Sequence, residues 1–202
     1  MNIVTAITGA SGALYAQRFI QGLVAAGTHV HLVVSPPGKR LLYDELGMET
    51  LDLTALAGTD QHNVTLYNYR DIGAKLASGS FLHDGMVIVP CSSNTLAKAA
   101  HGLGDDLISR AAAVTLKERR KLILCHREMP LSPIDITNYQ ALTSAGAILC
   151  PANPGFYPNP TTVGEIVDFV AGKLLDLVGV RHAFDTRWDP KNVRPPAPPN
   201  VV

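Results

Sequence analysis

The chain has 202 residues, of which 47% are hydrophobic and 17% charged, so it is long enough to bury one substantial core and short for two ordinary domains. Lysine plus arginine and aspartate plus glutamate both number 17, so no net charge would attract nucleic acid or an acidic membrane surface. The three cysteines lie in apolar runs, which indicates reduced, buried thiols in a cytoplasmic protein. The sequence predicts neither a membrane segment nor a metal site.

Short runs rich in valine and isoleucine alternate with longer amphipathic stretches along the chain. This pattern predicts parallel strands that crossover helices cover on both faces, an α/β layer fold. The predicted strands are residues 3–8, 29–34, 64–67, 86–90, 122–125 and 147–150. The predicted helices are residues 13–26, 39–46, 95–101, 106–120, 137–145 and 163–178. Thr162 and Glu165 form a capping box that marks the start of the last helix.

The C-terminal segment differs from the rest of the chain. Residues 185–202 have little apolar periodicity, and five of the last thirteen residues are proline, which excludes an ordinary helix or strand. We therefore expect one domain over residues 1–184 and a proline-rich tail over 185–202. The tail is either disordered or packs across another subunit, with Trp188 as its only large anchor.

Two candidate ligand loops follow the first two predicted strands. The first strand runs into Gly9, Ala10, Ser11 and Gly12 and then directly into a helix, where glycines permit a tight turn and free backbone N–H groups favour an anion. A turn that needs glycine only for its geometry would have the same sequence. Ser35 follows the second strand and places another hydroxyl at the carboxyl edge of the sheet, where ligands of such folds bind.

A third polar loop follows the strand at residues 86–90. Ser92, Ser93, Asn94 and Thr95 stand in a row just before a predicted helix. One of them is enough to cap the helix, so the others are available to a ligand. The surplus suits the polar edge of a flavin or the phosphate of a nucleotide.

These loops and two further motifs resemble one enzyme family. The G-A-S-G loop, Ser35, P-C-S-S-N-T at 90–95, R-E-M-P-L-S at 127–132 and G-F-Y at 155–157 occur in the order seen in UbiX-type flavin prenyltransferases, and R-E-M-P-L is the most specific of them. The resemblance covers about residues 1–188. It implies a three-layer α/β/α Rossmann-like fold with a mostly parallel six-stranded sheet, FMN bound between subunits, and a large homo-oligomer, commonly a dodecamer.

The resemblance also implies a reaction. Reduced FMN attacks the dimethylallyl carbon of dimethylallyl phosphate from N5, phosphate leaves, and a second bond at C6 closes a new ring without a metal. The product, prenylated FMN, is the cofactor of UbiD-type decarboxylases, the expected downstream partners. Whether the donor is a monophosphate or a diphosphate stays open.

The third loop also resembles a different group of enzymes. Residues 92–95 are similar to the P-A-S-A-N-T segment of the flavin-dependent cysteine decarboxylases, whereas UbiX-type proteins more often carry lysine or glycine at the position of Asn94. Oxidative decarboxylation of cysteine-ended substrates is therefore a second hypothesis, although those enzymes lack R-E-M-P-L. A flavin-binding accessory subunit of an aromatic-acid decarboxylase, without chemistry of its own, is a third.

Several side chains match substrate-binding positions of the prenyltransferases. Arg110 and Lys117 are seven residues apart on one predicted helix, so they project from the same face and can reach one phosphate. Lys117 can equally belong to a solvated helix end. Tyr157, Lys173 and Trp188 match further positions around the phosphate and prenyl group, although a lysine beside an apolar helix face usually only extends its amine into solvent.

The matching catalytic residues gather around the R-E-M-P-L motif and the first loop. Arg127 and Glu128 follow a strand and emerge at the same sheet edge as the loops, although adjacent arginine and glutamate can form a structural ion pair. The resemblance assigns Arg127 to flavin and phosphate, and Glu128 to proton transfer to the departing phosphate. Ser11 and Glu45 complete the predicted catalytic set, although Glu45 also fits an ordinary surface carboxylate. His101 and His126 are interpreted as packed histidines.

Overall fold

The computed structural model describes residues 1–184 and residue 186. Its strands are β1 (Asn2–Ile7), β2 (His29–Val34), β3 (Val64–Tyr67), β4 (Gly85–Cys91), β5 (Leu122–His126) and β6 (Ile148–Leu149). Its helices are α1 (Ala13–Ala25), α2 (Pro36–Leu46), α3 (Leu53–Ala57), α4 (Ser93–Ala100), α5 (Leu107–Lys117), α6 (Pro133–Ser144) and α7 (Val163–Val178). A 3₁₀ turn at Lys75–Ala77 precedes β4.

The six strands form one parallel sheet in the order β3-β2-β1-β4-β5-β6. Ile3 of β1 pairs with Val30 of β2 on one side and with Gly85 of β4 on the other. The prediction of an α/β/α fold on a parallel six-stranded sheet is therefore confirmed. Because the strand order reverses at the β1/β4 boundary, a crevice forms there beyond the carboxyl ends of the strands.

Each face of the sheet buries its own core. On one face, α1 and α7 cover a cluster that contains Phe19, Leu32 and Leu174, all fully buried. On the other face, α4, α5 and α6 cover a cluster that contains Leu96 and Leu142. The strands therefore have apolar side chains on both faces, as expected for a parallel sheet between two helical layers.

A glycine lets the two helices of the first face approach closely. A Cβ atom added to Gly22 of α1 would lie 2.5 Å from Leu175 Cδ1 of α7, which is closer than side chains tolerate. The α1–α7 contact therefore depends on the missing side chain.

Several helix boundaries differ from the sequence prediction for local reasons. α2 begins at Pro36 because the Ser35 hydroxyl accepts a hydrogen bond from the Gly38 N–H. α6 begins at Pro133, four residues before the predicted start, because Ser132 and Asp135 form a capping box. α5 ends at Lys117, before residue 120, and Arg119 then takes a left-handed φ of 58°.

Two short elements also depart from the prediction. The helix α3 was not predicted; Asp52 caps its start and Gly58, at a φ of 74°, ends it. β6 pairs over Ile148–Leu149 only, instead of the predicted residues 147–150.

The chain after α7 folds back onto the first face. The His182 side chain lies 3.3 Å from the Asp176 carboxylate, and the Arg18 guanidinium stacks 4.3 Å from the centre of the Phe184 ring. Trp188 and all of the tail except Thr186 lie outside the described residues, so the division into a domain and a tail stays a prediction. None of the helices in the described part of the chain is long and apolar enough to cross a bilayer.

Candidate active site at the carboxyl edge of the sheet

The Glu45 carboxylate of α2 lies at the start of α1. Its Oε2 atom accepts hydrogen bonds from the backbone N–H groups of Gly12, at 3.0 Å, and Ala13, at 2.8 Å. These N–H groups have no partner within the helix, and the helix dipole favours a negative charge beside them. Glu45 is therefore part of the glycine loop and not an isolated surface carboxylate.

The remainder of the glycine loop packs against α2 and leaves its serine exposed. A Cβ atom on Gly9 would lie 2.4 Å from Pro37 Cβ, so glycine is required for this close approach. The Ser11 side chain faces solvent at the crevice. The Ser11 side chain can therefore contact a ligand, whereas the backbone N–H groups at the start of α1 already donate to the Glu45 carboxylate.

Arg127 connects the end of β5 to the glycine loop across β4. Its Nε atom donates to the Ser11 carbonyl oxygen at 3.3 Å, and its backbone N–H donates to the Cys91 carbonyl oxygen at 3.2 Å. The next residue, Glu128, is exposed and accepts a hydrogen bond from the Met129 N–H. Among the described residues, Arg127 and Glu128 form no ion pair with each other.

The serines of the other two loops have structural partners. Ser35 is buried and caps α2, and Ser92 caps α4 by accepting from the Thr95 N–H at 3.3 Å. Ser93 lies 3.0 Å from His126 Nε2, whereas Asn94 is exposed. Of these four residues, Asn94 and Ser93 are the ones that keep hydrogen-bonding groups available to a ligand.

A buried threonine joins the two loops on either side of the crevice. The Thr8 hydroxyl at the end of β1 donates to the Pro90 carbonyl oxygen at 2.8 Å and accepts from the Ser92 N–H at 2.9 Å. Both bonds cross from β1 to β4, where the strand order reverses. These two bonds therefore hold the ends of β1 and β4 together beneath the crevice.

The exposed donors around this crevice fit FMN. The Arg127 guanidinium suits a phosphate or a flavin carbonyl, and the Ser11 hydroxyl and Asn94 amide suit the polar atoms of a ribityl chain or isoalloxazine. These side chains therefore supply donors that suit a flavin nucleotide.

Tyr157 and Lys173 line a separate cavity of about 650 Å³ beyond the end of β6. The Tyr157 ring meets the Phe169 ring edge to face, with 5.7 Å between their centres. Burial raises the pKa of Cys150 in the same cavity, and the positive charge of Lys173 partly opposes this rise. The cavity thus combines a phenol, an ammonium group and an aromatic wall.

Arg110 lies near the start of α5 and Lys117 is its last residue. Both are exposed on α5, and Lys117 forms an ion pair with Glu118 at 2.9 Å. Lys117 precedes β5 and Glu128 follows it, so the two lie at opposite edges of the sheet, about 13 Å apart along the strand direction alone. One subunit therefore does not gather all the predicted phosphate ligands.

Sequence reasoning missed the environment of His126. The ring is buried at the end of β5, between Ser93 and the Tyr139 hydroxyl, which lies 2.8 Å from Nδ1. Burial lowers its pKa. The only signal in the sequence is a histidine directly before the Arg127–Glu128 pair.

The strand order and the polar crevice at its reversal define a nucleotide-binding protein of the three-layer α/β/α class. The profile of the Flavoprotein family matches residues 1–175. The flavin prenyltransferase UbiX of Thermoplasma acidophilum is 47% identical over 188 residues, which cover 93% of this chain and 100% of that protein. The flavin prenyltransferase LpdB of Lactiplantibacillus plantarum is 44% identical, with 93% of this chain and 97% of that protein covered. The chain therefore belongs to the Flavoprotein family, among the UbiX-type flavin prenyltransferases.

Solved structures agree with this assignment. AnUbiX (PadA1), crystallised with FMN and dimethylallyl pyrophosphate, has a TM-score of 0.85 and 38% identity, with 93% of this chain and 97% of that chain covered. A dodecameric FMN-dependent UbiX-like decarboxylase from Escherichia coli O157:H7 has a TM-score of 0.84 and 38% identity, with coverages of 94% and 100%. The peptidyl-cysteine decarboxylase EpiD, at a TM-score of 0.61, 20% identity and coverages of 88% and 97%, shares the fold alone.

Proposed function

We propose that this protein transfers a dimethylallyl group from dimethylallyl phosphate to reduced FMN. The carbon–oxygen bond of the donor breaks as its carbon bonds to N5, which loses its proton, and inorganic phosphate is released. The double bond of the prenyl group then takes up a proton at one carbon while its other carbon bonds to C6, which loses its own proton. The observation that carries the proposal is the contact of Arg127 with Ser11 at the crevice, with the exposed Glu128 next in the chain, in a protein that matches flavin prenyltransferases over more than nine tenths of its length.

The residues of the crevice have separate roles in this proposal. The Arg127 guanidinium holds the flavin and the phosphate, and its bond to the Ser11 carbonyl oxygen fixes its position. Glu128 is exposed at the same edge and donates a proton to the departing phosphate. The Ser11 hydroxyl donates to an oxygen of the ligand, and Glu45 holds the loop that presents it.

The cavity beside β6 suits the prenyl donor. The Phe169 ring offers an apolar wall to the isoprenoid, and the Tyr157 hydroxyl and Lys173 ammonium group suit its phosphate. An aromatic wall also stabilises positive charge that develops on the prenyl carbon as the carbon–oxygen bond breaks. Trp188, which lies outside the described residues, stays a predicted contact of this pocket.

The site is completed by neighbouring subunits in this proposal. Lys117 lies at the opposite end of β5 from Glu128 within one chain, so it acts in the site of another copy. Met129, Ile134 and Ile136, beside the crevice, are 86%, 70% and 53% exposed, which suits burial against another subunit. The similarity to a dodecameric structure supports a homododecamer.

Three finer points belong to the same proposal. The product serves UbiD-type decarboxylases, as the family resemblance implies. The three free cysteines favour a cytoplasmic location. Decarboxylation of cysteine-ended substrates has weaker support, because the relevant structures share only the fold and the Tyr157–Lys173 cavity has no role in that reaction.

The decisive experiment is anaerobic incubation of the purified protein with reduced FMN and dimethylallyl phosphate. Mass spectrometry of the extracted flavin should show a gain of one prenyl unit, and an assay should show matching phosphate release. Parallel reactions with dimethylallyl diphosphate identify the preferred donor. Unmodified FMN with both donors would reject the proposal and favour a flavin-binding accessory subunit.

A further inference from the structure

The chain after α7 turns back and reaches the cavity that contains Tyr157 and Lys173. α7 is followed by Gly179, whose left-handed φ of 81° ends the helix. The residues that come next, 180–184 and 186, are called the return segment below. Its last residue, Thr186, lines the cavity together with Tyr157 and Lys173. The return segment therefore forms part of the wall of this cavity.

Arg18 of α1 holds the return segment in place. Its guanidinium donates two hydrogen bonds to the Asp168 carboxylate of α7, and the bond from Nη2 is 3.0 Å long. The same guanidinium lies 4.3 Å from the centre of the Phe184 ring, which is a cation–π contact. The Phe184 carbonyl oxygen in turn accepts a hydrogen bond from the Thr186 N–H at 3.0 Å. The position of Thr186 is therefore tied to both α1 and α7.

Gly172 of α7 provides the space that the Thr186 side chain occupies. A Cβ atom added to Gly172 would lie 2.8 Å from Thr186 Oγ1 and 2.9 Å from Thr186 Cγ2, which is too close for a real side chain. Gly172 directly precedes Lys173, so Thr186 packs on the helix beside the residue that brings an ammonium group to the cavity. Within the described part of the chain, the Thr186 hydroxyl makes no hydrogen bond. This hydroxyl is therefore available to a ligand in the cavity.

The return segment also places a histidine beside the carboxylate that lines the cavity. Asp176 is among the lining residues, and His182 Nε2 lies 3.3 Å from its Oδ1 atom. His182 Nδ1 accepts a hydrogen bond from the Phe184 N–H at 3.1 Å. Because a backbone N–H only donates, Nδ1 carries no proton, and the ring proton is on Nε2, the nitrogen nearer to Asp176. The positive end of this N–H group offsets part of the repulsion that the carboxylate would exert on a phosphate.

We propose that Thr186 contacts the phosphate of the prenyl donor, and that Gly172 and Arg18 are positioning residues that act through it. The Thr186 hydroxyl donates to a phosphate oxygen, next to the ammonium group of Lys173. This contact is made to the intact donor, so its loss weakens binding more than it slows the chemical step. The inference rests on the proposed function, because it takes this cavity as the donor site.

Titration of dimethylallyl phosphate into the protein loaded with oxidised FMN measures the contact without turnover. Thr186→Val removes the hydroxyl at nearly constant volume and should bind the donor about 5- to 20-fold more weakly, whereas Thr186→Ser keeps the hydroxyl and should stay within about 2-fold of the wild type. FMN affinity should be the same in all three proteins. In the transfer assay with reduced FMN, Thr186→Val should raise KM by the same factor and leave kcat within about 2-fold.

Gly172→Ala tests the positioning of Thr186. The added Cβ atom displaces the threonine, so donor binding should weaken about as much as in Thr186→Val. The double variant should bind no more weakly than the weaker single variant, because both changes remove one shared interaction. Gly164→Ala is the matched control, since its Cβ atom has 3.7 Å of clearance on the same helix, and it should bind the donor like the wild type.

Other results separate the contact from packing and from the proposed function. Thr186→Val with the donor affinity of the wild type would overturn the inference. Equal weakening in Thr186→Val and Thr186→Ser would overturn it as well, because the hydroxyl would then have no role of its own. A wild type that binds no dimethylallyl phosphate would also reject it. The expected affinities in a wild type that transfers no prenyl group to reduced FMN would reject the proposed function alone and leave the contact in place.

Discussion

The Glu45 carboxylate accepts hydrogen bonds from the first N–H groups of α1, and the nearer of the two, from Ala13, is 2.8 Å long. A side chain of α2 thereby shapes the glycine loop that presents Ser11. We expect Glu45→Gln to destabilise the fold by about 0.3–1 kcal/mol, because the amide oxygen can still accept these bonds but lacks the negative charge that the helix dipole favours, and to weaken FMN binding. Urea unfolding and FMN titration measure the two effects.

Glu49→Gln is the matched control for this prediction. Glu49 is an exposed carboxylate just after the same helix and makes none of the described side-chain hydrogen bonds to the loop. Its substitution should leave both the free energy of unfolding and FMN affinity within experimental error. Equal effects from the two variants would indicate a general charge effect instead of the specific contact.

The buried histidine His31 should make stability depend on pH. Burial lowers its pKa to about 4, and His29, Lys75 and His83 add to this effect, so the folded state keeps the ring neutral while the unfolded chain binds a proton near pH 6.5. The stability that the neutral His31 ring contributes is fully present above pH 6.5 and is lost as the pH falls toward 4. It amounts to about 3 kcal/mol.

Urea unfolding between pH 4.5 and 7.5 checks this dependence. His31→Gln removes the titrating group, so its stability should fall less over this pH range than that of the wild type. The control is His101→Gln, because His101 is exposed. If the free energy of unfolding of His31→Gln falls with pH as steeply as that of the wild type, other groups titrate in this range. His83 and His126 are then the next candidates, because burial lowers their pKa values as well.

The contact between α1 and α7 should leave no room for an added methyl group on α1. Gly22→Ala places a Cβ atom 2.5 Å from Leu175 Cδ1, so we expect a loss of about 1–3 kcal/mol in the free energy of unfolding. Leu175→Ala in the same chain should recover part of the loss, because it vacates the overlapping volume. Gly164→Ala, whose Cβ has 3.7 Å of clearance in the first turn of α7, should be neutral or slightly stabilising.

Two inactive variants should restore activity when they assemble together. If Lys117 of one subunit serves the Glu128 site of another, random mixing of Lys117→Ala with Glu128→Gln gives about a quarter of the sites two intact partners. Coexpression, purification of the mixed oligomer and the phosphate-release assay measure this recovery. Activity no higher than that of the separate variants would place both residues in one subunit's site or leave Lys117 without a role.

Local signals explain why much of the fold was predictable. The capping box of Thr162 and Glu165 and the alternation of apolar runs with amphipathic stretches are read from neighbouring residues, and α7 and β2 match their predicted bounds. The start of α6 was placed too late because its cap, Ser132, lies inside a motif interpreted as functional. The short α3 has only five residues, too few to show a helical period.

The candidate site was predictable only in part. Residues that follow strands converge at one edge because all the strands are parallel, which is why Ser11 and Arg127 meet. The contact of Glu45 with Ala13 spans 32 positions of sequence and depends on how α2 packs beside α1. The partners of His126 come from α4 and α6, which no pattern in the sequence brings together.

Thr8 has a consequence for how ligands are selected. Because its hydroxyl clamps the ends of β1 and β4 from beneath, the spacing between the loops on either side cannot widen to admit a bulkier guest without breaking two shielded bonds. Movement that keeps both bonds is therefore expected in the helices that flank the crevice and not at the ends of these two strands.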